Sequence, residues 1–345
     1  MRFEDVYLTA TGADLAPRVA VADAVARGLC PEDVARSTDA LSVAVAPDAD
    51  CAPDLAARAA ELALARASEV DAGDIDLLLH ATVYYQGHDL WAAPSYVQRV
   101  AVGNRCPAIE IRQLSNGGMA ALELAASYLA ASPERCAALV TAADTFRRPG
   151  FDRWRSDPGT LYADGGVAAI LSRRPGFARL RSLVSVSDPD LEGMHRGDDP
   201  FGVAAFSVRS PMDLQVWKDA FVARTGRAFS IARVAGGEQE VLKQALAEAE
   251  TELGEIDWFV LPHFGRKRLE LGLLRHLGID AARTTWAWNR SVGHLGAGDQ
   301  LAGIDHLAGI GALRPGQRCL LFGVGAGFTW SCGVLEIERR PPWLG

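Results

Sequence analysis

The chain has 345 residues, of which 49% are hydrophobic and 34 are glycine, and a formal net charge of −8. That length suits two domains or one duplicated domain, and the acidic balance excludes non-specific capture of nucleic acid or anionic membrane. No apolar run of about 18 residues is present to span a bilayer. Met1-Arg2-Phe3-Glu4-Asp5 lacks a signal-peptide core, and the six cysteines show no metal-like spacing. A reduced, cytoplasmic protein with small buried thiols is expected.

Apolar patterning alternates between strand and helix along the chain. A strand is predicted at 6–11, a helix at 19–29, a short strand at 40–46 and an alanine-rich helix at 52–67. A buried-type strand follows at 75–83, and Pro94 opens a helix to 102, where its missing N–H costs nothing. Residues 108–112 alternate as a strand and lead into Leu114-Ser115-Asn116-Gly117-Gly118, after which a helix begins. Another strand is predicted at 135–141. Residues 145–160, rich in arginine, proline and aromatics, break the rhythm as an insertion. The glycine turn Asp164-Gly165-Gly166 feeds the next strand, to 171.

The pattern then restarts. A strand at 180–186 precedes a polar connection at 187–210 and helices at 214–225 and 237–250. Strand 256–262, helix 267–277, strand 284–288 and helix 299–310 follow, and strands 318–322 and 328–337 flank Gly323-Val324-Gly325-Ala326-Gly327. Matching features recur: Asp74-Ile75-Asp76 with Glu255-Ile256-Asp257 at an offset of 181, and Ser115 with His294 at 179. Asp164-Gly165-Gly166 matches Gly325-Ala326-Gly327 at only 161, which places the extra insertion in the first copy. The economical organisation is a duplicated α/β chain, with halves at 1–172 and 173–345, whose matching loops meet at strand C-terminal ends.

Ser115 sits on a strand-to-helix turn, where free N–H groups favour a developing anion. It reads either as a helix cap or as a nucleophile, which would need a base and an orienting group. Of seven histidines, His276 and His306 fall in predicted helices, His80 near a strand end, and His195 in a polar loop expected to be solvated. His88 follows a strand and is a minor pocket candidate. His263 and His294 each follow a second-half strand, and His294 lies among glycines in Gly293-His294-Leu295-Gly296-Ala297-Gly298-Asp299. Asp299 reads as a helix cap, an orienting carboxylate, or both. The glycine loop before Phe328 reads as a tight turn or as a backbone donor to an oxyanion.

These motifs resemble the ketoacyl-ACP synthase III branch of the thiolase-fold condensing enzymes over nearly the whole chain. Ser115-Asn116-Gly117 stands at the family's Cys-x-Gly nucleophile. Ala163-Asp164-Gly165-Gly166-Val167 looks like its Gly-Asp-Gly-Ala-Gly strand entry, and Gly325-Ala326-Gly327-Phe328-Thr329-Trp330 like its C-terminal signature. His263 matches the family His-Gln-Ala-Asn motif, which then departs as Phe264-Gly265-Arg266. His294 stands where the catalytic Asn is expected. The resemblance implies a layered αβαβα fold of duplicated βαβαβ-type halves, a homodimer, and a tunnel for phosphopantetheine. It implies no bound cofactor and no metal, the substrate riding on an acyl carrier protein (ACP) or on CoA.

Two of three family catalytic positions are changed, and the changes are complementary. Serine lacks the easy ionisation of cysteine, and His294 supplies the base that serine needs. A Ser115–His294–Asp299 triad is therefore expected, with the backbone N–H of Ser115 and Ala326 holding the oxyanion and His263 donating to substrate. The resembling enzymes are acyltransferases of polyketide and other natural-product pathways. They pass an acyl group from ACP or CoA to a hydroxyl, amine or thiol on a small or carrier-bound acceptor. Starter-unit condensation, thioester hydrolysis and a non-catalytic subunit are the alternatives. Arg266-Lys267-Arg268 and Arg147, Arg148, Arg153 and Arg155 are candidate docking patches for an acidic carrier. Trp91, Tyr84, Tyr85, Phe146 and Met119 are candidate pocket residues.

Overall fold

The computed structural model describes residues 1–344. The strands are β1 (Tyr7–Leu15), β2 (Arg18–Ala20), β3 (Ser42–Ala44), β4 (Ile75–Ala81), β5 (Ala108–Ile111), β6 (Ala137–Asp144), β7 (Gly165–Ser172), β8 (Ala178–Ser187), β9 (Trp258–Val260), β10 (Arg318–Gly325) and β11 (Thr329–Ile337). Nine form one run in the order β5-β4-β6-β7-β1-β8-β11-β10-β9. The run is two copies of one pattern. In the first, β1 pairs antiparallel with β7, β7 antiparallel with β6, and β6 parallel with β4. In the second, β8, β11, β10 and β9 repeat those relations. Even β5, parallel to β4, has a remnant counterpart in a bridge from Phe259 to Thr284. The copies join through two residue pairs between β1 and β8.

The parallel strands are nearly continuous apolar runs because both of their faces are covered. Helix Ala52–Arg66 lies on the outer face of β1, β6 and β7, and helix Arg227–Glu248 on β8 and β11. Between the halves lie helices Gly117–Ala130 and Asp299–Gly309, which touch strands of both copies. The order helix, sheet, helices, sheet, helix gives three large buried apolar clusters, the largest around the central pair, with a smaller aromatic one beside them. Small side chains permit that close layering. A Cβ on Gly118 would stand 2.3 Å from the carbonyl oxygen of Ala297, so the helix after Ser115 could not otherwise reach the opposite loop.

Several expectations are corrected. The predicted strand at 284–288 is instead a short helix, Trp286–Asn289, beyond the single bridge at Thr284. The predicted helix at 19–29 begins as β2 and is helical only over Val21–Ala26. Helix Arg227–Glu248 starts ten residues earlier than the apolar pattern implied, because Gly226 has φ +92° and restarts the chain there. The insertion is no surface appendage: Asp152, Arg153, Ser156, Asp157 and Thr160 are all buried. All six cysteines are free among the described residues, and no helix among them is long and apolar enough to cross a membrane.

Candidate active site

Between β5 and the following helix the chain passes through a short 3-10 turn, Leu114–Asn116. Leu114 has φ +47°, a left-handed conformation that costs a branched side chain energy and persists only where the surroundings impose it. That twist turns Ser115 away from the helix. Its hydroxyl caps nothing and instead donates to His294 Nε2 at 2.8 Å. The turn is clamped from the second half. Gln113 Nε2 donates to Thr329 Oγ1 at 2.8 Å and Asn116 Nδ2 to Ser331 Oγ at 2.8 Å. A Cβ on Gly325 would stand 2.4 Å from the Gln113 carbonyl, so glycine is required where the end of β10 passes this turn.

His294 is held on every side. Its backbone N–H donates to Leu161 at 2.8 Å, and its carbonyl accepts from Ala163 at 2.7 Å. The Tyr162 ring lies edge-on to its imidazole, with centroids 4.8 Å apart. Its Nδ1–H donates to Asp299 Oδ2 at 2.6 Å. Asp299 is the first residue of its helix rather than the cap, and its carboxylate turns back. Oδ1 accepts from Leu295 N at 2.8 Å, and Oδ2 also accepts from His263 N at 2.7 Å. Burial opposes the charge on Asp299, but the adjacent imidazoles and these N–H groups hold its carboxyl below the usual range. Ser115, His294 and Asp299 thus form a continuous hydrogen-bonded line, buried except at the partly exposed serine.

His263 stands on the other side of the same carboxylate, 3.3 Å from Asp299 Oδ1. Its Nδ1 is 2.9 Å from the carbonyl of Gly293. A carbonyl only accepts, so Nδ1 carries the proton. Burial first, then the neighbouring His294, pushes the His263 pKa down despite Asp299. The neutral ring therefore leaves a lone pair on Nε2, which is buried and has no partner. His263 presents an acceptor where a donor was expected.

Of the other expected pocket residues, Tyr84 and Phe146 join Phe151 and Tyr162 in an aromatic cluster behind His294. Met119 is wholly buried in the core, and Tyr85, His88 and Trp91 lie on an exposed loop. His80 is buried, paired with Thr141 and Gln86, and burial lowers its pKa to about 4. His195 is not solvated as expected; its Nδ1 is buried. Two docking arginines are tied to buried carboxylates, Arg153 itself buried and Arg268 half-buried. Arg153 grips Asp164 at 2.9 and 2.7 Å, and Arg268 grips Asp157 at 2.8 and 2.6 Å. Lys267, Arg148 and Arg155 remain at the surface.

Sequence reasoning missed Asp144. It ends β6 fully buried, accepts from Val83 and Tyr84 N–H groups at 2.9 and 2.7 Å, and abuts Gly296 in the His294 loop. Burial raises its pKa to about 7. An aspartate closing an apolar strand was the only signal available.

Comparison with known proteins agrees with this fold. A profile of the 3-oxoacyl-ACP synthase III C-terminal family matches residues 246–337. The chain is 30% identical to a β-ketoacyl-ACP synthase III of Rhodospirillum rubrum, over 95% of this chain and 94% of that one. It is 28% identical to the Neisseria meningitidis enzyme of the same description, over 85% and 86%. The chain belongs to the ketoacyl-ACP synthase III family of thiolase-fold enzymes. The solved structure of ChlB3, described as an acyltransferase, superposes with a TM-score of 0.93 at 38% identity over 99% and 100% of the two chains. Xanthomonas oryzae FabH superposes at 0.77 with 17% identity, over 97% and 100%, and shares the fold.

Proposed function

We propose that this enzyme is an acyltransferase working through an acyl-Ser115 intermediate. The observation that carries the reading is the Ser115–His294–Asp299 line, with 2.8 and 2.6 Å contacts. His294 Nε2 takes the Ser115 proton as Oγ attacks the thioester carbonyl. Backbone N–H groups of Ser115 and Ala326 receive the oxyanion. The C–S bond breaks, and the proton passes from His294 to the departing thiolate of ACP or CoA. A hydroxyl, amine or thiol acceptor then enters, gives its proton to His294 and forms the new bond to the acyl carbon; the ester to Ser115 breaks as His294 returns that proton to Oγ. The His263 Nε2 lone pair accepts a hydrogen bond from that incoming nucleophile.

The same tautomer weighs against decarboxylative condensation, whose enolate oxygen calls for N–H donors; a neutral His263 offers none at Nε2. The ChlB3 likeness, described as an acyltransferase at 38% identity, leans the same way. The reading carries with it a cytoplasmic protein of a natural-product, polyketide-type pathway. Lys267, Arg148 and Arg155 would meet an acidic carrier. A second copy would pair along the open edge of β5, where Ile109 is 48% exposed.

Intact mass after incubation with a panel of acyl thioesters tests the reading. A wild-type adduct that is discharged on adding an acceptor supports it. Carbon dioxide release from a malonyl thioester with a β-keto product overturns it in favour of condensation, and rapid free acid without acceptor in favour of hydrolysis.

A further inference from the structure

His195 ends the short helix Pro189–His195, and its ring lies edge-on to Phe328 with centroids 5.4 Å apart. Phe328 belongs to the turn beside Ser115, fixed by reciprocal backbone hydrogen bonds with Asp188 at 3.0 and 2.8 Å. The row continues to Trp330, 5.8 Å from Phe328. An acyl chain that leaves a carbonyl held at Ser115 and Ala326 and runs along this turn meets that row. Two of its polar atoms, His195 Nδ1 and Trp330 Nε1, are buried without partners.

The neighbouring polar groups are engaged elsewhere. Asp157 takes Lys218 at 3.3 Å and Arg268 at 2.6 and 2.8 Å, and Arg268 also takes Thr160 at 2.7 Å. Burial, with the charges of Lys218 and Arg268, keeps His195 neutral, its pKa lowered to about 3. A neutral imidazole both donates and accepts, so it suits a hydroxyl or carbonyl and gives no ion pair. A plain alkyl chain packed there would leave Nδ1 orphaned, a costly arrangement, whereas an oxygen substituent would satisfy it.

We propose that the acyl group transferred here bears a hydroxyl or oxo substituent beyond the thioester carbonyl, and that His195 is the residue that selects it. This rests on the acyl-serine reading above. The test separates the two claims by using equilibrium binding to the Ser115→Ala protein, where no chemistry occurs. The probes are hydrolysis-resistant amide isosteres of hexanoyl-pantetheine and of its 3-, 4- and 5-hydroxy forms, titrated calorimetrically. At least one hydroxy form should bind about tenfold more tightly than the plain chain. A further His195→Leu change should abolish the preference, and His195→Asn should keep part of it.

Equal or tighter binding of the plain chain against all three hydroxy forms overturns the proposal before any His195 variant is made. So does a preference that survives His195→Leu. Failure of wild-type protein to form an adduct with the matching thioesters would instead sink the acyl-serine reading, with the binding comparison still deciding the role of His195.

Discussion

The turn after β5 and the loop before Asp299 occupy matching places in the two halves, yet they are built for opposite tasks. The first presents one weak nucleophile on a strained backbone, with Leu114 at φ +47°. The second presents His294 on Asp299, a carboxylate it shares with His263 from the segment after β9. Duplication supplied two equivalent loops facing one point, and in the proposed mechanism one became the reactant and the other its activating apparatus. On that reading neither half would be competent alone, because the serine needs a base that the other copy carries.

The largest test of that division is Ser115→Ala, expected to abolish the acyl-enzyme and lower transfer by about a million-fold. An undiminished adduct in intact mass would mean that the first loop is not the reactant. His294→Ala should cost a similar factor. His294→Asn, which restores the residue expected at this position in the family, should not rescue acylation. Asp299→Asn should lower acylation roughly ten-thousand-fold, since the imidazole loses the partner that fixes its tautomer. His263→Ala should act differently. Single-turnover acylation should survive, while transfer to the acceptor falls about a hundredfold. Equal losses in both steps would make the two histidines a single unit.

The smallest effect concerns stability, and it too contrasts the halves. In the first, burial lowers His80 to about 4. Its unfolded form binds the proton more readily, so its contribution is present above about pH 6.5 and is lost as pH falls toward 4. In the second, burial raises Glu238 to about 8. Its neutral form contributes below about pH 4.5, and that contribution is lost as pH rises through 8. Asp144, raised to about 7, adds to the alkaline loss. Glu238→Gln should therefore raise the melting temperature at pH 9 while changing it little at pH 4, measured by thermal denaturation across that range. A uniform shift at every pH would point to packing instead.

Ser115, His294 and Asp299 were legible because each sits in a short local pattern, a turn after a strand or a glycine-spaced loop, and because the repeat implied that the two loops meet. The layered fold followed from alternating apolar runs. What was hidden depends on partners far apart in the chain. Arg153 and Arg268 look like surface charge until the buried Asp164 and Asp157 are seen beside them. His195 looks like a loop residue until Phe328 is seen against it. The helix at Trp286–Asn289 was misread because its five-residue apolar stretch is too short for periodicity to separate helix from strand. The tautomer of His263 could not be foreseen, since it depends on the direction of one carbonyl, that of Gly293.

Asp299 has one further consequence. Two imidazoles face a single carboxylate, and His294 opposes charge on His263. The site can store one extra proton comfortably and a second only at a penalty. In the proposed mechanism the site is therefore a relay with a capacity of one. On that reading the proton taken from Ser115 leaves with the thiolate before the acceptor surrenders its own, which would order the two half-reactions without any moving part.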